Sequence, residues 1–165
     1  MRQLGTATII GLLALALPAF AGKPTITFIP ATPFTITGGT ANGACAFDVG
    51  VAPTANRPNG EKEILFANSA IISGPLFLTF TNLSNPTKTL SLNVSGPGII
   101  NFADNEEILL GPSFISGFAP NLTEAAGLPS VALVTGRTIL TFDNLGNVTG
   151  ITHVGTVQDI CQALQ

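Results

Sequence analysis

The chain has 165 residues, which is enough for one domain with a buried core; 45% of them are hydrophobic and only 9% are charged. This composition excludes an intrinsically disordered chain, which requires low hydrophobicity and a high charge. The formal net charge is −3 and the basic residues form no cluster, which argues against nucleic acids and anionic membranes as partners.

Residues 1–21 have the features of a secretory signal peptide. Arg2 precedes a mostly apolar run at 7–17, and small residues at positions 19 and 21 suit signal peptidase. The mature chain is therefore predicted to begin at Gly22. The apolar run is too short to span a bilayer comfortably, and no later stretch approaches its length. We expect a secreted, extracellular protein without a membrane span.

Residues 22–43 are predicted to form an extended arm. Three prolines stand among six threonines in this segment, a composition typical of chains that carry O-linked sugars. The alternation of apolar and polar residues at 25–28 allows a short edge strand, whereas the prolines exclude a central one.

From residue 44 onward, short β-type stretches alternate with turn residues and predict about nine or ten strands. The most regular of them lies at 87–96, where Leu90, Leu92 and Val94 alternate with serine and asparagine. A hairpin is predicted around Gly136-Arg137, and a final helical turn or two at 159–164.

These elements predict a single all-β domain spanning residues 44–165. An antiparallel β-sandwich, immunoglobulin-like or jelly-roll-like, with a short C-terminal helix is the expected architecture. A closed β-barrel is the alternative.

The only two cysteines are Cys45 and Cys161. In a secreted chain two cysteines most simply form one disulfide, although intermolecular pairing and free thiols are alternatives. The bridge would join the first core strand to the last element of the domain.

Four Asn-X-Ser/Thr triplets are acceptors for N-glycosylation, whereas roughly two would arise by chance in a chain this rich in Asn, Ser and Thr. They begin at Asn82, Asn93, Asn121 and Asn147. We predict that sugars and exposed hydroxyls replace charge as the solubilising surface. The alternative is that the triplets are unused, as they would be in a bacterial protein.

His153 is the only histidine and hence the only candidate for a catalytic base of the triad type. Asp143 or Asp159 could orient it, but it would also need a nucleophile. The chain has no G-x-S-x-G elbow, and Ser113 and Ser116 lack that pattern. The sequence therefore favours a histidine on a strand surface over catalysis.

Carboxylates are the remaining candidates for chemistry, and they form two short clusters: Asp104, Glu106 and Glu107 in one, Glu61 and Glu63 in the other. A glycosidase needs two carboxylates at a set separation across a cleft, which the spacing does not test. Calcium binding at 104–107 is an alternative without a recognised loop pattern, and solvated turns are the usual place for such runs.

No cofactor or metal site is predicted, because one histidine and two paired cysteines leave too few ligands for zinc. The chain also has neither Trp nor Tyr. Both residue types supply large amphipathic contact area at surfaces that bind sugars or proteins. A carbohydrate-binding module with aromatic platforms is therefore disfavoured.

Several motifs resemble a group of small secreted proteins from fungi and actinobacteria. They are Cys-Ala-Phe-Asp-Val at 45–49, Thr-Asn-Leu at 81–83, Leu-Ser-Leu-Asn-Val-Ser-Gly-Pro-Gly at 90–98, Thr-Gly-Arg at 135–137, Gly155, and Asp-Ile-Cys-Gln-Ala-Leu at 159–164. The resemblance covers most of residues 45–165 and implies a secreted, disulfide-closed β domain. It assigns no activity and no catalytic or binding residue.

The function predicted from the sequence is that of a secreted, N-glycosylated, non-catalytic monomer. It would act through its surface by binding an extracellular protein or a cell-wall component. That partner could belong to the producing cell, to a host or to a neighbouring organism. The alternatives are an extracellular polysaccharide hydrolase that uses Asp and Glu, and a structural cell-wall protein. A deep pocket lined by two facing carboxylates would refute the first prediction.

Overall fold

A computed structural model describes residues 23–39, 45–57 and 59–165, which form eleven strands and two short helices. The strands are β1 (Thr25–Ile29), β2 (Phe34–Ile36), β3 (Val49–Pro53), β4 (Glu61–Leu65), β5 (Ser69–Ser73), β6 (Phe77–Asn82), β7 (Thr89–Asn93), β8 (Gly98–Asn101), β9 (Glu106–Ser116), β10 (Val131–Phe142) and β11 (Val148–Asp159). The helices are α1 (Pro120–Ala125) and α2 (Ile160–Ala163). The predicted signal peptide and its cleavage site lie outside the described residues.

The strands form two antiparallel sheets. One has seven strands in the order β1-β4-β5-β8-β9-β10-β11, and the other has four in the order β2-β3-β6-β7. Both sheets are open, so each has two edge strands in the described part of the chain. The predicted β-sandwich is therefore confirmed, and the alternative of a closed barrel is wrong.

The main core lies between the two sheets. Val49, Val51 and Phe80 of the four-stranded sheet are at most 2% exposed and pack with Phe114 and Leu133 of the seven-stranded sheet. The rings of Phe80 and Phe114 lie 5.1 Å apart between centroids. Alternation in the sequence supplies these side chains, because every second residue of a half-buried strand faces the core.

A second apolar cluster lies on β9, β10 and β11 and includes Ile115, Ala132 and Val134. Leu122 and Ala126, from α1 and its C-terminal end, pack against this cluster. This helix is absent from the elements predicted from the sequence. Its local signal was Pro120, since proline is favoured at the first helical position.

The predicted hairpin at Gly136-Arg137 is wrong, because β10 runs through these residues without a turn. Gly136 pairs with Gly111 on β9 and with Gly155 on β11. The φ angle of Gly136 is +135°, and a Cβ atom there would lie 2.2 Å from the Val154 carbonyl oxygen. Glycine at this position allows adjacent strands to approach closely and does not mark a chain reversal.

The segment predicted as an arm supplies one edge strand to each sheet. β1 pairs with β4 and β2 pairs with β3, so the predicted short edge strand at 25–28 is confirmed. Every residue of β1 is exposed, including Ile26 at 63% and Phe28 at 60%. Prolines flank these strands and do not enter them, as expected for residues that donate no ladder hydrogen bond.

The predicted disulfide joins Cys45 to Cys161, and the predicted C-terminal helical turn is present as α2. Asp159 caps α2, since its Oδ1 accepts a hydrogen bond of 3.0 Å from the Gln162 backbone nitrogen. Ile160 and Leu164 are fully buried in the core between the sheets. The C-terminal segment is thus held both by the bridge and by its own apolar side chains.

Candidate functional site: a cavity between the two sheets

A cavity of about 200 Å³ lies between the sheets. Its walls are mainly apolar and come from both sheets, from the loop before β6 and from the segment that follows β7: Ile72, Leu76, Leu78, Val94, Leu109 and Phe114. Two carboxylates and one hydroxyl, those of Glu61, Glu107 and Ser113, also line it. The cavity therefore combines an apolar lining with a small group of polar side chains, which is typical of ligand sites.

Sheet register places the two carboxylates on one face. Glu63 pairs with Ile72, Ile72 with Gly98, and Gly98 with Leu109, which makes one row across four strands. Glu61 and Glu107 are each two residues from that row, toward opposite ends of the strands, and residues two apart on a strand share a face. The two predicted acidic clusters thus contribute one carboxylate each to the cavity.

Gly98 provides part of the space. A Cβ atom built on this residue would lie 3.1 Å from Glu107 Oε1 and 3.5 Å from Leu109 Cδ2. The missing side chain leaves room beside the Glu107 carboxylate, and the chain conformation at Gly98 is one that other residues also adopt.

The environment disfavours the charged form of both carboxyls. Burial raises the pKa of Glu107, and the neighbouring Glu61 carboxylate raises it further. Burial also raises the pKa of Glu61. None of the described residues that line the cavity is basic, so the site itself offers no positive charge to offset the carboxylates.

Ser113 is 5% exposed, and its Oγ atom has no hydrogen-bond partner among the described residues. Buried hydroxyls almost always have a partner, because an unsatisfied one costs about 1–3 kcal/mol. A hydroxyl left free on the cavity wall is available to a ligand.

The other acidic residues remain outside the cavity. Asp104 accepts a hydrogen bond from the Asn101 side chain in an exposed turn, and neither Glu63 nor Glu106 lines the cavity. Over the described ranges, no three His, Cys, Asp or Glu side chains gather closely enough to hold a metal ion.

The structure does not assemble the Ser-His-Asp arrangement that the sequence analysis considered. His153 Nδ1 shares a hydrogen bond of 2.9 Å with Thr138 Oγ1, and His153 does not line the cavity. Asp143 Oδ1 instead accepts hydrogen bonds from two backbone nitrogens of its own turn, and Asp159 caps α2.

The four glycosylation acceptors differ in accessibility. Asn93, Asn121 and Asn147 are exposed, so their glycosylation stays a prediction that the surface permits. Asn82 is 6% exposed, and its Nδ2, the atom that would carry a glycan, donates a hydrogen bond of 3.1 Å to the Leu164 carbonyl. The buried position of Asn82 argues against a glycan there in the folded protein.

A second depression, of about 240 Å³, lies at the surface of the four-stranded sheet and includes Thr54, Arg57 and Ser91. The hydroxyls of Thr54 and Ser91 both hydrogen-bond Thr79 Oγ1 at 2.9 Å, and the Arg57 guanidinium lies over the Phe77 ring. Because the two hydroxyls already have hydrogen-bond partners, the cavity between the sheets is the stronger candidate.

No protein-family model matches the chain, and no curated protein or solved structure is significantly similar to it. The fold and the site together define an antiparallel β-sandwich with a small acidic cavity between its sheets.

Within the described ranges, neither helix has the length and apolar character needed to cross a membrane.

Proposed function

We propose that the protein is an extracellular, non-catalytic binding protein that takes a small ligand into the cavity between its sheets. One observation carries this proposal: the unpartnered hydroxyl of buried Ser113 lines a mainly apolar cavity that two partly buried carboxyls also line. The sequence favoured interaction through an outer surface. A cavity with two carboxylates supports a pocket as the place of interaction instead.

The disulfide supports the extracellular part of the proposal. Structural disulfides form and persist in oxidising compartments and are rare in the cytosol. The bridge between Cys45 and Cys161 therefore agrees with the predicted signal peptide at residues 1–21.

The lining argues for binding rather than polysaccharide hydrolysis. Six of the lining side chains are apolar, and no Arg, Asn, Gln, Trp or Tyr stands among the described ones. Sugar hydroxyls need several donors and acceptors, and a polymer needs an extended cleft. The space of about 200 Å³ is smaller than the roughly 300–1,000 Å³ of ordinary ligand pockets, so it suits a small molecule and not a polymer.

A screen of small organic molecules by ligand-observed NMR tests the proposal. The full chain should bind some of them at millimolar or lower concentration, and Gly98→Ala should lose this binding because its methyl group enters the cavity beside Glu107. Glu106→Gln, a neighbour outside the cavity, is the matched control and should bind as the native chain does.

Two results would refute the proposal. One is the absence of binding by any compound of the screen. The other is equal binding by the native chain and Gly98→Ala, which would place the ligands elsewhere on the protein.

A further inference from the structure

We infer that the protein forms a symmetric dimer in which the outer face of the seven-stranded sheet packs against the same face of a second copy. A continuous row of isoleucines forms the centre of this face. The inference does not depend on the proposed ligand, and it replaces the monomer expected from the sequence.

Strand register brings one isoleucine from each of six adjacent strands into a single row. Each member pairs directly with the next one across the sheet. Because neighbouring strands lie about 4.8 Å apart, the row extends about 24 Å across the sheet. In the order β1-β4-β5-β8-β9-β10, its members are Ile26, Ile64, Ile71, Ile99, Ile108 and Ile139.

The isoleucine row faces away from the apolar cores. Thr138 and Leu140, on either side of Ile139, are at most 4% exposed, so the opposite face of β10 is the covered one. Among the described residues, neither core cluster includes a member of the row. Ile26 is 63% exposed and the other five are half-buried. The solvent face of an antiparallel sheet is usually polar, so six aligned isoleucines indicate a partner.

Apolar side chains also occur in the adjacent row, two residues along the strands. It includes Phe28, Leu110 and Val154, of which Phe28 is 60% and Val154 is 79% exposed. Two such faces in contact would bury on the order of 1,000 Å², which is the lower limit for a specific interface. We therefore expect a dimer that dissociates on dilution in the micromolar range.

The charges beside the row are complementary to those of a second copy. Arg137 of β10 and Glu106 of β9 are each two residues from the row, on opposite sides of it. A two-fold axis along the row would exchange the two sides and keep each strand opposite itself. Arg137 of one copy would then lie near Glu106 of the other, within reach across two sheets about 10 Å apart, and the pair would occur twice.

The proposed contact leaves the cavity and the exposed glycosylation acceptors free. Ile72, which lines the cavity, follows Ile71 on β5 and hence lies on the other face of the sheet. Asn93 belongs to the four-stranded sheet, Asn121 to α1, and Asn147 to the turn before β11. Dimer formation and ligand binding can therefore be tested separately.

Sedimentation velocity of the full chain at concentrations from about 2 to 200 μM tests the inference. The native chain should change from monomer to dimer over this range. Ile71→Thr/Ile99→Thr retains β-branched side chains on two central strands and should weaken the dimer at least about tenfold. Leu145→Thr is the matched control, because Leu145 is 87% exposed in a turn outside the row, and it should leave the dimer unchanged.

A charge exchange tests the two-fold arrangement. Arg137 is exposed, so Arg137→Glu should fold normally and remains informative if the isoleucine variant folds poorly. It should weaken the dimer about tenfold, because each new carboxylate would lie near Glu106 of the other copy. Adding Glu106→Arg to the same chain reverses both charges and should restore the dimer.

Four results would overturn the inference or its geometry. A native chain that stays monomeric at about 200 μM would reject the dimer and leave the proposed ligand cavity unaffected. A dimer that Ile71→Thr/Ile99→Thr does not weaken would place the contact elsewhere, for instance at the β11 edge. An equal loss with Leu145→Thr would assign association to general hydrophobicity, and no recovery on charge exchange would reject the two-fold axis along the row.

Discussion

Loss of the Cys45–Cys161 bridge should lower the stability of the protein mainly through the unfolded state. The bridge joins residues 116 positions apart, so it closes most of the chain into one loop. In the chain-entropy model a loop of this length contributes about 4.8 kcal/mol to the free energy of unfolding. For a chain of this size that corresponds to a decrease of about 10–20 °C in Tm.

The native packing of the C-terminal segment does not depend on the covalent bond alone. Ile160 and Leu164 are fully buried, and the Leu164 carbonyl accepts a hydrogen bond from Asn82 Nδ2. These contacts remain possible when the sulfur atoms are no longer joined. The destabilisation should therefore reflect the larger conformational freedom of the unfolded chain.

Urea denaturation measures the loss of stability. It compares the oxidised chain with the chain reduced by a phosphine and with the double variant Cys45→Ala/Cys161→Ala. The two unbridged forms should agree, and the m value should rise because a chain without the loop exposes more surface when unfolded. Leu164→Ala is the control, since it keeps the loop and removes a buried side chain at a cost of about 2–5 kcal/mol. A loss of less than about 1 kcal/mol on reduction would refute the loop-entropy reasoning.

Two further predictions concern the cavity and the surface. Because the pKa of Glu107 is raised in the folded protein, the free energy of unfolding should fall as the pH rises from the ordinary value of 4.5 through the raised one. Urea titrations at acidic and neutral pH should show a smaller decrease in the free energy of unfolding for Glu107→Gln than for the native chain. The same pH dependence in both proteins would contradict this prediction. In a glycosylating host, peptide mapping should find Asn82 bare, since its amide is buried against Leu164, whereas glycan at Asn93 would agree with its exposed position. A folded, secreted protein with full occupancy at Asn82 would contradict the structure.

Local patterns were sufficient for several features. Leu90, Leu92 and Val94 are more buried than the polar residues between them, as the alternation at 87–96 predicts. The sandwich follows from many short strands with turns between them, and two cysteines in one chain leave one simple intramolecular pairing. These predictions depend only on residues close in sequence or on a count.

Long-range pairing decided the rest. Glu61 and Glu107 share a cavity only because β4 and β9 belong to one sheet with β5 and β8 between them, and a spacing in sequence does not specify that order. Gly136 resembles a turn residue until Gly111 and Gly155 are placed beside it on neighbouring strands. Asn82 begins an N-glycosylation triplet, which is a surface motif, yet the C-terminal segment covers this residue. The sequence by itself determined the class of fold and the covalent link, since both follow from periodicity and composition. The tertiary structure alone determined which polar side chains are buried together, because that depends on strand order and register between distant segments.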